Sequence, residues 1–191
     1  MDKPTAGEVT LGDKNIATLN DNELSEVRLK YMGFIFQQMH MLKNLTVIDN
    51  ILLPAYKLTA DKAKRKEIDE YCNELMRKLD ISDIAHNDIT EVSGGQLQRA
   101  CICRSMINNP KILFADEPTG ALNKSASDDV MKQLTKINEE GTSIMLVTHD
   151  MKVAAKCTRI LYIVDGNIKG EISLGKLADD EVKERQRKVS N

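Results

Sequence analysis

The hydrophobic and polar positions of this 191-residue chain follow two patterns, short apolar runs and longer stretches with helical spacing. The short runs predict buried strands. They lie at residues 32–37, 111–118 and 143–150. The longer stretches predict helices. They lie at residues 21–30, 46–53, 61–79, 96–108 and 124–140. Strands and helices that alternate in this way predict an α/β domain with a mostly parallel sheet.

Turn-forming residues mark the ends of several of these elements. Residues 7–16 and 159–173 each read through a glycine-containing turn, which predicts two antiparallel hairpins. Asp21 is a candidate N-cap for the first helix, and Gly141 is placed to end the helix over 124–140. The charged tail from Lys176 onward is predicted to be helical.

Composition narrows the range of partners. The net charge is −2 and only 4% of the residues are aromatic, so the chain lacks the basic surface and stacking rings of a nucleic-acid-binding protein. Four cysteines occur without a C-x-x-C pair, which favours free thiols in a reducing compartment over a metal site. No apolar run is long enough to predict a membrane span, so we expect a cytoplasmic protein.

Acidic and histidine side chains follow two of the predicted strands. One helix links these strands, and a right-handed crossover places their carboxyl ends at the same edge of the sheet, where ligands bind in open α/β folds. The residues at that edge are Asp116, Glu117, Thr148, His149 and Asp150. Asp116 can hold a magnesium ion through its waters, and Glu117 can orient or deprotonate an attacking water. His149 is placed to contact a transferred phosphate.

A serine followed by two glycines, at residues 93–95, precedes the helix over 96–108. Ser93 can cap a helix that begins at Gly94 or Gly95, and Gln96 completes a capping box. A cap alone needs neither glycine. Two residues without side chains leave backbone N–H groups and the positive end of the helix dipole facing outward, which predicts an anion site suited to phosphate.

These motifs together resemble those of the ATP-binding subunit of ABC transporters. VSGGQLQRA resembles the family's signature motif, ILFADEP its second nucleotide motif, and TGALN the loop that crosses the dimer interface. VTHD supplies the switch histidine, His149, and GFIFQ supplies the glutamine, Gln37, that links the ion site to the membrane partner. KPTAGEV, NLTVIDNILLP and DEPTGAL resemble the exporters of lipoprotein-release, macrolide and bacitracin-resistance type.

The resemblance implies a fold, ligands and partners. It implies a three-layer, P-loop NTPase-like α/β domain over 1–191, with a helical signature subdomain at 46–108 and a small antiparallel β part. It implies ATP and Mg²⁺ as cofactors, with Glu117, His149 and Gln37 as catalytic residues. Asp116 and Gln37 are the implied Mg²⁺ ligands, Asp116 through water. The implied partners are a permease and a second nucleotide-binding subunit, on the inner face of the cell membrane.

The resemblance to ABC transporters also implies a dimer in which two subunits pair head to tail and each signature turn closes over the ATP of the other subunit. The residues implied in this role are Ser93, Gly94, Gly95 and Gln96. The implied function is ATP hydrolysis that drives export. The alternative is a non-hydrolysing partner that only donates its signature turn. A soluble ABC protein of DNA repair is disfavoured, because the span between Gln37 and Ser93 is too short for a long coiled coil.

The sequence departs from the family pattern in two respects. Asn123 stands where the family usually has aspartate, which puts interfacial coupling in doubt. The phosphate loop, G-x-x-x-x-G-K-[ST], is expected ahead of KPTAGEV and is not found there. Residues 170–176 fit part of that pattern, but Leu177 follows the lysine and the run reads as a hairpin strand.

We therefore expect a fold whose first βα unit is missing. The chain is then a fragment or mis-started product, a degenerate half, or one piece of a split gene. We expect it to bind ATP poorly alone, and to aggregate because apolar surface is left uncovered. We also expect Met39, Met41 and Leu42 to form an adaptable surface for a short helix of the permease, with core packing as the alternative.

Overall fold

The structure, a computed structural model, describes residues 4–176 and 181–190. The strands are β1 (Thr10–Leu11), β2 (Lys14–Asn15), β3 (Met32–Ile35), β4 (Ile112–Asp116), β5 (Ser143–Val147), β6 (Arg159–Val164) and β7 (Asn167–Ser173). The helices are α1 (Asp21–Tyr31), α2 (Val47–Leu58), α3 (Lys62–Lys78), α4 (Gly94–Met106), α5 (Lys124–Glu139), α6 (Met151–Ala154) and α7 (Val182–Ser190). Short 3₁₀ turns follow β2 and α3.

The central sheet is parallel, as the sequence predicts. Its three strands lie in the order β3-β4-β5. The register places Phe34 beside Phe114 and Phe114 beside Met145. The predicted hairpins are also present as separate antiparallel pairs, β1 with β2 and β6 with β7. Residues 170–173 therefore lie in a hairpin strand, as expected, while Leu177 lies outside the described residues.

One face of the central sheet forms the core with α4 and α5. Ile35, Leu113 and Ala115 point to this face and are almost fully buried. Gly33 lies on the same face beneath α4. A Cβ atom at this position would lie 2.2 Å from Leu113 Cδ2 and 2.5 Å from the carbonyl oxygen of Ser105. Only glycine therefore allows the C-terminal half of α4 to approach β3 so closely.

The opposite face of the sheet is exposed at β5, so the prediction that 143–150 is a buried strand is wrong for this face. Met145 is 51% exposed and Val147 is 57% exposed. Their burial alternates with that of Ile144 and Leu146, which pack on the core. The physical reason is that nothing in the described part of the chain covers this side of β5. Uncovered apolar surface, which the sequence led us to expect, is therefore present here.

The ends of the helices agree with the sequence except at α1, α2 and α4. Helix α2 continues past Pro54 to Leu58 instead of ending at 53, and α4 spans Gly94–Met106 instead of 96–108. Asn20, rather than Asp21, caps α1, and its side chain and Glu23 form a reciprocal capping box. Asn20 has the extended backbone of an N-cap, whereas Asp21 is already helical. Gly141 follows α5 with a φ of 107° and ends it as predicted. The tail forms α7 over Val182–Ser190, and residues 177–180 lie outside the described residues.

Candidate functional site

The parallel register brings the ends of β4 and β5 to one edge of the sheet. There the backbone N–H of Glu117 donates a hydrogen bond to the carbonyl oxygen of Val147 at 2.9 Å. Glu117 has a φ of 44°, in the left-handed region that a residue with a side chain seldom adopts. The turn directs the Glu117 carboxylate toward the segment after β5. A strained residue held by its neighbours at a ligand-binding edge favours a functional role.

Glu117 and His149 are brought together, as the sequence predicts. Glu117 Oε1 lies 2.6 Å from His149 Nδ1 and accepts the backbone N–H of His149 at 2.8 Å. Its other oxygen accepts the hydroxyl of Thr148 at 3.0 Å. The Glu117 side chain is 15% exposed, whereas that of His149 is 86% exposed. The carboxylate is thus fixed, and the imidazole beside it is open to solvent.

The surroundings of Glu117 also set its charge. Burial acts to raise the pKa of its carboxyl, but the hydrogen bonds from the His149 side chain, the His149 backbone and Thr148 act in the opposite direction. The net result is a pKa below the ordinary value, so the group is ionised at neutral pH. An ionised carboxylate with both oxygens engaged can orient a water, and becomes a better base when His149 releases it.

The other predicted residues of this edge have separate places. Asp116 is exposed at the last position of β4. Gln37 lies two residues beyond β3, and its Nε2 is 3.5 Å from where a Cβ of Gly120 would be, as is Glu117 Cβ. Asp150 instead caps α6, because its carboxylate accepts the backbone N–H of Lys152 at 2.7 Å. Gln37 and Glu117 therefore flank Gly120, while Asp150 is structural.

The donors at this edge fit a magnesium ion. Among the described residues, no group of three or more histidine, cysteine, aspartate or glutamate side chains is arranged to hold a metal ion alone. Mg²⁺ prefers oxygen ligands and usually keeps several waters, with one or two carboxylates and the phosphates of a substrate. Asp116 and the amide oxygen of Gln37 supply donors of this kind.

The turn formed by Ser93, Gly94, Gly95 and Gln96, called the Ser93 turn below, begins α4. Ser93 Oγ accepts the backbone N–H of Gln96 at 3.3 Å, and Gln96 Oε1 accepts the backbone N–H of Ser93 at 3.0 Å. The predicted capping box is therefore present. Ser93 and Gly94 are exposed, whereas the side-chain oxygen of Gln96 is used inside the turn. The N–H groups of Ser93 and Gln96 are used inside the turn, so the backbone N–H groups of Gly94 and Gly95 are the part available to an anion.

The Ser93 turn and the start of α5 together line a cavity of about 410 Å³. Gly95 faces Ala126 of α5, and a Cβ at Gly95 would lie 3.3 Å from that of Ala126. Asn123 caps α5 through a bond from the backbone N–H of Ala126 at 3.0 Å. Arg99 also lines the cavity, and its buried Nε has no hydrogen-bond partner among the described residues. The sequence pattern did not identify Arg99 as a site residue, although Arg99 lies within VSGGQLQRA and one helical turn after Gly95.

Met39 and Met41 lie in the loop after Gln37, and Leu42 follows them. Met41 packs against the core, Met39 is half-buried, and Leu42 is 47% exposed. Core packing thus accounts for Met41, and Leu42 remains available on the surface. The four cysteines are free thiols, as expected. None of the helices in the described residues has the length and apolar character needed to cross a membrane.

Comparisons with known proteins place these motifs in a family context. The family model for ABC transporters matches residues 1–120. An uncharacterized ABC transporter ATP-binding protein of Bacillus subtilis, YvcR, is 43% identical over 92% of this chain and 67% of its own length. The lipoprotein-releasing system ATP-binding protein LolD of Leptospira interrogans is 41% identical over 88% of this chain and 70% of its own.

Two further comparisons bear on length and on fold. The macrolide export ATP-binding/permease protein MacB of Bartonella henselae is 40% identical, and the chain spans about a quarter of its length. A dimeric structure of the ATP-binding cassette MJ0796 in a post-hydrolysis state, bound to ADP and Pi, superposes with a TM-score of 0.79 at 34% identity. That match covers 92% of this chain and 77% of the other.

Proposed function

This chain belongs to the ABC transporter family as an ATP-binding domain, and we propose that it hydrolyses ATP to drive export through a membrane permease. The observation that carries the proposal is the contact between Glu117 and His149 at the carboxyl edge of the parallel sheet. An apolar strand that ends in two carboxylates, with an imidazole beside them, suits phosphoryl transfer to water, because it combines an ion ligand, a base and a phosphate contact.

Each residue of the edge has a distinct proposed role. Glu117 orients the attacking water and accepts its proton, and His149 contacts the transferred phosphate. Asp116, through water, and Gln37 hold Mg²⁺, which when bound neutralises charge on the phosphates. The exposure of Asp116 and the position of Gln37 beside Gly120 support this assignment.

The Ser93 turn is proposed to act on a second subunit. The backbone N–H groups of Gly94 and Gly95 would cover the ATP of that subunit in a head-to-tail dimer, with Ser93 and Gln96 holding the turn in place. The exposure of Ser93 and Gly94 supports this role, as does the dimeric state of the structurally similar cassette. The helical part at 46–108 is then the region that carries the turn.

The proposed partner in the membrane is an exporter permease, and the proposed location is the inner face of the cell membrane, with no nucleic acid involved. Relatives named for lipoprotein release and macrolide export support an exporter. Leu42, beside Met39 and Met41, offers an exposed apolar contact for a permease helix.

A second candidate is that the chain only donates its Ser93 turn to the site of a complete subunit. The turn is preformed and open, whereas both oxygens of Glu117 are bonded to Thr148 and His149. This chain would then be required for hydrolysis without performing it.

Two mixtures distinguish these candidates. In the first, the chain is mixed with an intact ABC ATP-binding subunit whose own signature turn is disabled, so hydrolysis reports donation by the Ser93 turn. In the second, the added subunit keeps its signature turn but lacks its catalytic acid, so hydrolysis reports the Glu117 site of this chain. Neither altered subunit hydrolyses ATP as a homodimer, which fixes the background.

If the leading proposal is right, the second mixture hydrolyses ATP, and Glu117→Gln in this chain lowers the rate by roughly 100-fold or more. The matched control is Glu139→Gln, at the exposed end of α5, which should leave the rate unchanged. Hydrolysis in the first mixture alone supports the second candidate. If neither mixture turns over while both pairs associate, both proposals are wrong.

A further inference from the structure

The loop that carries Gln37 is held by a side chain of α4. We call residues 36–41 the Gln37 loop. Arg104 donates one N–H to the carbonyl oxygen of Met39 at 2.7 Å and another to that of His40 at 2.8 Å. The thiol of Cys101, one turn earlier, donates to the same Met39 oxygen at 3.5 Å. Two side chains of one helix thus hold two successive carbonyl groups of the loop.

These contacts replace the main-chain bonds that the loop lacks. Within the described structure, residues 37–41 make no backbone–backbone hydrogen bond. Arg104 is half-buried, and no carboxylate of the described residues lies within 4.0 Å of its guanidinium. Its charge is therefore satisfied by carbonyl oxygens. A planar guanidinium can span two oxygens at once, whereas a lysine ammonium acts as a point charge.

The conformation of the loop depends on this support. His40 has a φ of 46°, which costs energy for a residue with a side chain. It is the residue whose carbonyl Arg104 binds. On the other side, the ring of Phe36 meets the His40 ring edge-on at 5.4 Å and stacks on Phe34 of β3 at 5.9 Å. The loop is thus fixed between the sheet and α4.

Helix α4 connects this loop to the other candidate site. Its N-terminus forms the Ser93 turn, and its C-terminal half rests on β3 where Gly33 faces the Ser105 carbonyl. Arg104 lies in that anchored half. The geometry points to Arg104 as a positioning residue that holds Gln37 beside Gly120 and makes the Gln37 loop and α4 one mechanical unit. This inference deepens the proposed function, because it assumes that the place of Gln37 matters to the ion.

The test observes Gln37 directly in the full chain. Glutamine is labelled with ¹⁵N, and the side-chain amide signal of Gln37 is assigned by its loss in Gln37→Glu. Arg104→Ala and Arg104→Lys should both displace or broaden this signal, because alanine has no donor and a lysine ammonium lacks the planar pair of nitrogens that reaches both carbonyl groups. Gln133 on α5 is the internal control, and its signal should stay in place. Arg99→Ala, on the same helix, is the matched control variant.

A second measurement relates the position of Gln37 to the ion. Mn²⁺ with ADP is titrated as a paramagnetic probe, and the concentration that half-broadens Gln37 should rise roughly 10-fold in Arg104→Lys, since loss of an outer-shell partner commonly costs 10- to 100-fold in metal affinity. If Mn²⁺ never broadens Gln37 in the unaltered chain, the ion role in the proposed function is wrong, while the positioning role is still judged by the Arg104 variants.

An unmoved Gln37 signal in a folded Arg104 variant would overturn the inference. Far-ultraviolet circular dichroism and the Gln133 signal establish folding. If Arg104→Ala does not fold, Arg104→Lys decides the question alone, because it retains the charge and most of the packing. Equal displacement in Arg99→Ala would also overturn it, since the effect would then belong to α4 generally.

Discussion

Replacement of Gly33 by alanine should destabilise the chain by about 3 kcal/mol, at the upper end of the usual 1–3 kcal/mol for an overpacked core. The new Cβ would lie 2.2 Å from Leu113 Cδ2 and 2.5 Å from the Ser105 carbonyl oxygen. Leu113 can turn away only into a core where it is fully buried. The Ser105 oxygen belongs to the backbone of α4, so relief requires the helix to move from β3.

The control is Gly170→Ala in β7. Apart from its chain neighbours, no described residue has an atom within 4 Å of a Cβ built there, and the backbone is not in the left-handed region. This change should be neutral or stabilising by about 0.4–1 kcal/mol, because alanine reduces the freedom of the unfolded chain. Urea unfolding followed by circular dichroism measures both differences. A chain of this size loses roughly 2–4 °C per kcal/mol, so Gly33→Ala should melt roughly 6–12 °C lower.

The comparison also separates the two clashes. In Gly33→Ala with Leu113→Ala, the side-chain clash is gone and the clash with the Ser105 carbonyl remains. The double variant should therefore recover only part of the loss relative to Leu113→Ala alone. If Gly33→Ala falls within about 0.5 kcal/mol of Gly170→Ala, the size expected of an ordinary surface change, the close approach of α4 to β3 is not as described.

Four further properties should follow from the structure. The isolated chain should bind ATP weakly in calorimetry when Mg²⁺ is left out, because each carboxylate of Asp116 and Glu117 repels a phosphate charge by about 4 kcal/mol at ~4 Å and an effective dielectric near 20; tight binding without Mg²⁺ would contradict this. The ordinary pKa of a glutamate carboxyl is 4.5, and that of Glu117 is lowered in the folded chain. The lowered pKa should stabilise the fold at pH values above 4.5, and this contribution should be lost as the pH falls through the lower pKa of the folded state. Urea midpoints of the unaltered chain and Glu117→Gln should therefore converge in acid, and a constant gap would exclude the linkage. Asn50 is buried and bonds the backbone of the 42–46 segment, so Asn50→Ala should lose about 1–3 kcal/mol in urea unfolding, and an unchanged midpoint would show that water replaces it. The exposed face of β5 should promote aggregation, so Met145→Lys should raise the monomer fraction in gel filtration, and an unchanged fraction would place the aggregating surface elsewhere.

Local patterns were enough for most of the elements and for the placing of acids and a histidine at one edge of the sheet. The Ser93 capping box, the glycine after α5 and the two hairpins each depend on residues a few positions apart, so the sequence predicted them. The convergence of Glu117 and His149 followed from the handedness of one crossover. The burial of β5 was predicted wrongly, because an apolar run does not show whether another element covers each of its faces.

The sequence by itself determined the parallel α/β order, the acids at the strand ends and the glycine turn, since each is encoded by neighbouring residues. Only the tertiary structure decided that Arg104 binds the Gln37 loop and that Gln37 lies beside Gly120. It also decided that burial and hydrogen bonds compete over the charge of Glu117. These contacts join residues far apart in the chain, and their geometry depends on how α4 packs on the sheet, which no local pattern encodes.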